Sequence, residues 1–167
     1  REDFRDYLHQ LDLPDGADPI TILEVSGGTR QTDNLEVFPK LERRADGTFV
    51  CRFFIHGSRH IHPIAHERVD TLKSNEPLRV SIELNNPTSE LALQLGSEDY
   101  AMLGWAPRYL VKDLLQVIIA SPTQVTARVV RVNPAPAPSN QRVLVELKGP
   151  LPSNYEPMSG SDFQLLR

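Results

Sequence analysis

The sequence predicts a mainly β protein, either a small antiparallel barrel or a sandwich, with one packed helix. Three observations support this fold class. Segments rich in β-branched and aromatic residues outnumber helical segments, turn-forming residues recur about every ten residues, and one segment has a pronounced amphipathic helical pattern. The chain has 167 residues, of which 40% are hydrophobic and 24% charged, which suits one globular domain with appended segments.

The first 46 residues predict a helical N-terminal extension. Apolar side chains recur at helical spacing at Phe4, Tyr7, Leu8 and Leu11. Asp18 and Pro19 have the residue types of an N-cap and first helical position, which predicts a second short helix over 19–26. Residues 35–39 predict one strand. We therefore assign 1–46 to an extension of two helices and one strand.

Residues 47–132 are predicted to form the barrel. Strands are expected at 48–57, 78–84, 91–95, 100–105 and 123–132. In the last of these the alternation of valines shifts phase, as it does at a β-bulge.

Two helices are expected within this unit. A short helix over 63–73 should direct Ile64, Val69 and Leu72 inward. The best helix of the chain spans 107–120, and its apolar stripe consists of Leu110, Leu114, Val117 and Ile118.

The remaining segment, 133–167, begins with a proline-rich connector over 133–139. A strand at 142–148 and an irregular tail follow. We expect this segment to pack on the barrel.

Charge and composition exclude several classes. Residues 1–24 carry seven acidic and two basic side chains, so the rest of the chain has a net charge of +1 and is not a general polyanion binder. No apolar run reaches the length of a membrane span, and no secretory signal is visible. The single cysteine, Cys51, excludes an internal disulfide and is expected to be a buried small hydrophobe. We expect a cytoplasmic protein without membrane contact.

Four of the five histidines fall within 56–66. On an extended strand His56, His60 and His62 would share one face, which could bind zinc. Gly57 and Pro63 interrupt such a strand, so no metal site, no cofactor and no stoichiometric zinc are expected. The chain also lacks a nucleophile elbow and a phosphate-binding loop, and we predict no catalytic residues.

Residues 49–120 resemble the HIRAN domain, a small module of some fork-remodelling SWI/SNF-type helicases and of standalone bacterial proteins. The resemblance lies in the order and spacing of a strand ending at Gly57, an Asn-Asn-Pro turn at 85–87 followed by a strand containing Ala92, and Gly-x-x-Pro-Arg at 104–108. It implies a six-stranded, OB-like barrel that binds single-stranded DNA, in the helicases at a free 3′ end.

The resemblance also implies a binding site. The candidate nucleic-acid-binding residues are Arg59, His60, Asn85, Asn86, Trp105, Arg108 and Lys112. Arginine suits phosphate, amides suit base edges or sugars, and an indole suits base stacking. The sequence departs from the helicases at Ile61, where one stacking ring is lost, and at Thr88 and Ser89, which replace an aromatic residue and an acid. We therefore expect weak dependence on a free 3′ end.

Three functional hypotheses follow. The leading one is a non-enzymatic single-stranded DNA-binding module that senses DNA ends or stalled and damaged DNA, as in DNA repair. The first alternative is a protein-interaction module whose acidic N-terminal extension contacts a partner. The second is a metal-dependent hydrolase that uses the histidine-rich loop.

Overall fold

A computed structural model describes residues 3–27 and 37–164. It contains four α-helices, α1 (Asp3–Gln10), α2 (Pro19–Ser26), α3 (Pro63–Thr71) and α4 (Arg108–Ala120). The predicted cap of α2 is confirmed, because the Asp18 carboxylate accepts hydrogen bonds from the backbone N–H groups of Ile20 (3.0 Å) and Thr21 (3.1 Å). No helix in the described part of the chain is long and apolar enough to cross a membrane.

Six antiparallel strands form one sheet. They are β1 (Thr48–Phe54), β2 (Pro77–Asn86), β3 (Glu90–Ser97), β4 (Met102–Trp105), β5 (Thr126–Val132) and β6 (Val143–Pro150). Their order in the sheet is β1-β6-β5-β2-β3-β4. The phase shift expected in β5 is present as a register shift between Val129 and Arg131. The mainly β, antiparallel character predicted from the sequence is therefore confirmed.

Closure of the sheet into a barrel is not confirmed. The edge strands β1 and β4 meet only at an isolated bridge between His56 and Trp105, within the residues that the structure describes. Their backbones exchange two hydrogen bonds of 2.9 and 3.0 Å there. The pairing is brief because β1 ends at Phe54 and the chain turns at Gly57.

The sheet extends beyond the predicted unit 47–132. β6 lies between β1 and β5 and pairs with both along its length. Its side chains explain this position, because Val143, Val145 and Leu147 are buried in the main core. A boundary at 132 therefore divides the sheet, and the sixth strand comes from the segment assigned to the C-terminal extension.

Two further expectations are corrected. Residues 37–39 are not a strand, and 35–36 lie outside the described residues. In α3 Ile64 is 67% exposed, whereas Ala65, Val69 and Leu72 are buried. The spacing of these three follows the inner face of the helix, and Ile64 lies one position off that face.

Apolar clusters lie on both faces of the sheet. Leu110, Leu114 and Val117 of α4 join the main core, as predicted. A second cluster of Leu11, Phe54 and Leu144 holds the N-terminal helices. Asp12 ties this region to the sheet through Arg52 (2.9 Å) and Arg131 (2.7 Å).

The segments 37–44 and 151–163 pack together against α4, and we call this arrangement the clasp. Phe38 stacks on Tyr109 with ring centroids 4.2 Å apart. Arg43 donates to the backbone carbonyls of Leu151 (3.0 Å), Pro152 (2.7 Å) and Tyr155 (3.1 Å). The hydrogen bonds from Arg43 therefore hold 151–155 against 37–44, and the Phe38–Tyr109 stacking holds 37–44 against α4.

Candidate functional site

A cleft of about 540 Å³, called the groove below, lies between the β2–β3 turn, the end of β1 and the start of α4. Four of the seven predicted binding residues line it: His60, Asn86, Trp105 and Arg108. Its apolar wall is formed by Trp105, Ala92, Ala106 and Val111. The groove thus combines an aromatic ring, an amide and a cation.

Two glycines allow close contacts beside the groove, Gly57 with the Trp105 ring and Gly104 with the His56 backbone. Gly57 has φ +73°, and a Cβ placed on it would lie 2.5 Å from Cε3 of Trp105. Gly104 has φ +136°, and its Cβ would lie 2.5 Å from the His56 carbonyl oxygen. Any larger residue at either position would move the indole or break the β1–β4 bridge. The glycines of the sequence motif therefore have a structural role at the groove.

Trp105 is oriented by an acid that sequence reasoning missed. Its Nε1–H donates to the carboxylate of Glu83, which also lines the groove. Glu83 pairs across the hairpin with Ala92, whose small side chain leaves room at this position. The sequence did contain a signal for this role, because Glu83 is an acidic residue within the apolar strand that leads to the Asn-Asn-Pro turn.

The two turn asparagines have different roles. The Asn86 side-chain oxygen accepts from the backbone N–H groups of Thr88 (3.0 Å) and Ser89 (3.2 Å), so half of its amide shapes the turn. Its Nδ2 has no hydrogen-bond partner among the described residues. Asn85 has φ +62° and an exposed side chain that does not line the groove. Only Asn86 is therefore brought to the predicted site.

Arg108 opens α4 at the mouth of the groove. Its side chain is exposed and donates to the Thr88 carbonyl over 3.4 Å, a long hydrogen bond to the opposite turn. The N-terminus of α4 adds partial positive charge beside this guanidinium. Glu83 balances the formal charge of Arg108, so the groove has no excess charge apart from its histidines.

Arg59 and Lys112 do not join this group. Arg59 lies on a short 3₁₀ turn (Ser58–His60) and lines a neighbouring cavity. Its Nε donates to His60 Nε2 over 3.0 Å. Lys112 is exposed on α4 outside the groove lining. Two of the candidate binding residues, Arg59 and Arg108, therefore lie in different cavities, because the turn directs Arg59 and His60 into different cavities.

The histidines do not form one face. β1 ends before them, His62 caps α3 by accepting from the Ile64 N–H (3.3 Å), and His66 lines the neighbouring cavity. In 3–27 and 37–164, no group of three His, Cys, Asp or Glu side chains could hold a metal ion. Cys51 is buried as predicted, and burial, with a smaller contribution from the Glu146 charge, raises the pKa of its thiol to about 12.

No protein-family model and no curated protein matches the chain. Two solved structures are similar to it, each at 16% sequence identity. The first is a protein from Lactobacillus plantarum, with a TM-score of 0.43 over 62% of this chain and 99% of the other. The second is the HIRAN domain of human HLTF, with a TM-score of 0.42 over 63% of this chain and 78% of the other. The second structure bears the name of the family that residues 49–120 resemble in sequence.

Proposed function

We propose that the protein is a non-enzymatic module that binds single-stranded DNA in the groove. The observation that carries this proposal is the meeting of Trp105, His60, Asn86 and Arg108 in one cleft of about 540 Å³. These residues come from three separate parts of the chain, and they occupy positions that the sequence resemblance assigns to binding. A single-stranded base is accessible to such a cleft, whereas a paired base is not.

Three of these residues, Trp105, Asn86 and Arg108, have distinct parts in this proposal. A base stacks on the indole of Trp105, whose orientation is fixed by Glu83. Asn86 Nδ2 donates to the base edge or the sugar. Arg108 and the N-terminus of α4 contact a phosphate. With so few basic groups, we expect about micromolar affinity and a salt dependence that corresponds to roughly 2–3 phosphates.

Dependence on a free 3′ end is a separate expectation. Since Thr88 and Ser89 stand where the helicases have an aromatic residue and an acid, blocking the 3′ hydroxyl should weaken binding by less than about threefold. Glu83 is the acid that the groove does contain, and Trp105 already donates to it. If blocking abolishes binding, Glu83 is the residue that is placed to accept a hydrogen bond from the terminus.

Fluorescence-anisotropy titration of single-stranded oligonucleotides, with free and blocked 3′ ends, tests the proposal. Arg108→Gln should weaken binding about tenfold on any sequence, because a phosphate contact carries no base identity. Trp105→Leu should weaken it at least as much through lost stacking. Arg5→Gln is the matched charge control, since Arg5 lies on α1 and is well exposed. Unchanged binding by both groove variants would reject the proposal.

A protein-interaction module is the second candidate. The observation in its favour is the exposure of apolar residues on the N-terminal helices: Phe4 is 49%, Ile20 65% and Leu23 42% exposed. The acids of this extension are less available than the sequence suggests, because Asp12 pairs with the sheet and Asp18 caps α2. A partner that co-purifies with the parent and is lost with Ile20→Ser, while the groove variants retain it, would support this candidate.

A further inference from the structure

β2 is paired along its length on one side only. β3 pairs with it over 78–86, whereas β5 pairs with it only at Pro77 and Leu78. Beyond Leu78, no strand in the described part of the chain lies beside β2 on the β5 side. We call this side of β2, over 79–84, the open edge.

The hydrogen-bonding groups of the open edge can be assigned from the β5 pairing. The Val129 N–H donates to the Glu76 carbonyl over 2.9 Å, in the register that pairs β5 with the start of β2. In an antiparallel ladder, alternate residues direct their N–H and C=O groups to the same neighbouring strand. Val80, Ile82 and Leu84 therefore direct these groups out of the open edge. Such a row of unpaired groups is a template for another strand.

The side chains of the same three residues make this edge apolar on one face. Ile82 is 41% and Leu84 69% exposed. Residues 79–84 include no lysine, proline or glycine, which are the residues that commonly protect an edge strand. The edge is also short, because β5 bounds it at Leu78 and a register shift between Leu84 and Asn86 bounds it at the other end. A short, bounded edge favours a closed pair over an open-ended assembly.

We propose that two copies of the chain pair through their open edges as an antiparallel, two-fold symmetric dimer centred on Ile82. Val80 of each copy then lies opposite Leu84 of the other, and Ile82 lies opposite the same residue. On the other face, Ser81 lies opposite Glu83 of the second copy. The hydroxyl can donate to this carboxylate, which has lone pairs to spare beside its bond from Trp105.

The neighbouring registers are less favourable. A pairing centred on Ser81 would place Leu84 of one copy beside Leu78 of the other, where β5 already lies. A pairing centred on Glu83 would place two carboxylates opposite each other. Only the register centred on Ile82 matches apolar with apolar side chains and a donor with an acid. This self-complementarity is the reason to assign the edge to a second copy of the chain rather than to a strand of another protein.

Sedimentation velocity of the protein without DNA, from about 1 µM to 1 mM, tests this inference independently of the proposed function. The parent should dimerise with a Kd of about 10–100 µM, since so short an edge buries less area than a standard interface. Ile82→Pro removes an N–H that points out of the sheet and not toward β3, so it should raise the Kd at least tenfold.

Two substitutions of one exposed residue sharpen the test. Ser81→Lys places a cation opposite Glu83 of the second copy and should lower the Kd about fivefold, whereas Ser81→Glu should raise it by a similar factor. Ser153→Lys and Ser153→Glu, at an exposed position of the tail, are the matched controls and should dimerise as the parent does. Circular dichroism reports whether each variant is folded, and the Ser81 pair decides the outcome if Ile82→Pro does not fold.

A protein that stays monomeric up to 1 mM would overturn the assignment of a second copy to this edge. A dimer whose Kd does not respond to the Ser81 substitutions would also overturn it, because the two copies would then meet elsewhere. Ile20→Ser identifies one such alternative, the exposed apolar residues of the N-terminal helices. Loss of the dimer in Ile20→Ser, with the Ser81 variants unchanged, would assign the interface to those helices.

Discussion

The groove and the clasp both adjoin α4, yet they use arginine differently. In the groove, Arg108 donates a long hydrogen bond of 3.4 Å to a single carbonyl, that of Thr88. In the clasp, Arg43 donates to four backbone carbonyls, of which the closest is 2.7 Å away. An arginine whose donors are used by the backbone stabilises the fold, whereas one with spare donors is available to a ligand.

The acids show the same contrast. Asp113 is 2% exposed and accepts from the Tyr155 hydroxyl (2.5 Å) and the Met158 N–H (3.0 Å), which fixes the tail on α4. Burial, together with the Asp113 carboxylate, raises the pKa of Tyr155 well above its ordinary value. Glu83 instead lines an open cleft and orients an indole. The clasp should therefore determine stability, and the groove should determine binding.

The largest effect is expected in the clasp. Asp113→Ala leaves the Tyr155 hydroxyl and the Met158 N–H without their partner, which should lower the free energy of unfolding by about 3 kcal/mol in urea titrations. DNA affinity should change by less than about twofold where the protein remains folded. Gln116→Ala, at an exposed position of α4, is the control. A loss of affinity as large as that of Arg108→Gln would show that clasp and groove are coupled through α4.

Gly57→Ala should affect both properties. A positive φ and contact with the Trp105 ring should together lower stability by about 2 kcal/mol, and the displaced indole should reduce DNA affinity at least fivefold. Gly47 is a matched control, since its φ is +79° and a Cβ placed on it would have no atom within 4 Å. Gly47→Ala should cost about 1 kcal/mol with no change in affinity. Equal affinities for the two variants would contradict the role given to Gly57.

Arg43→Ala should lower stability by about 1–2 kcal/mol, because several carbonyls of the tail lose a charged donor. The neighbouring Arg44 is exposed, and its guanidinium donates to no carbonyl in the described part of the chain. The urea midpoint of unfolding of Arg44→Ala should therefore equal that of the parent. A similar loss in both variants would indicate a general effect of charge.

The smallest effect is expected at a charge network on the sheet, in which Arg52 and Arg128 pair with Glu146. Burial opposes ionisation of Glu146, but its hydrogen bonds to Arg128 (2.7 Å) and Arg52 (3.0 Å) outweigh burial and hold its pKa below the ordinary value. A depressed pKa stabilises the folded protein above the unfolded value of about 4.5, and this contribution is lost as the pH falls below it.

Glu146→Gln should therefore be less stable than the parent by about 1 kcal/mol near neutral pH. The difference should narrow below about pH 4.5, where Glu146 takes up a proton in the unfolded parent while the folded parent still holds the charge. Urea titrations of both proteins at several pH values measure this difference in the free energy of unfolding. The contributions of the other acidic residues cancel, because both proteins contain them. A difference that does not depend on pH would assign the effect to packing.

Local patterns predicted most of the elements. The N-cap at Asp18, the α4 stripe and the bulge in β5 depend on residues close in sequence, so they could be recognised without the fold. The strand expected at 35–39 is absent from its described part, 37–39, because Phe38 packs on Tyr109, a residue about 70 positions away. The exposure of Ile64 was missed for a similar reason, since the core decides which face of a short helix is buried.

The sequence by itself determined the mainly β class and the six strands, because periodicity and turn chemistry are local properties. Its resemblance to the HIRAN domain supplied four of the residues that line the groove. Only the tertiary structure decided that β6 pairs between β1 and β5, that Glu83 faces Trp105 and that Arg59 and Arg108 lie in different cavities. These relations depend on which distant segments meet. Such contacts are set by packing of the whole chain, which no window of the sequence contains.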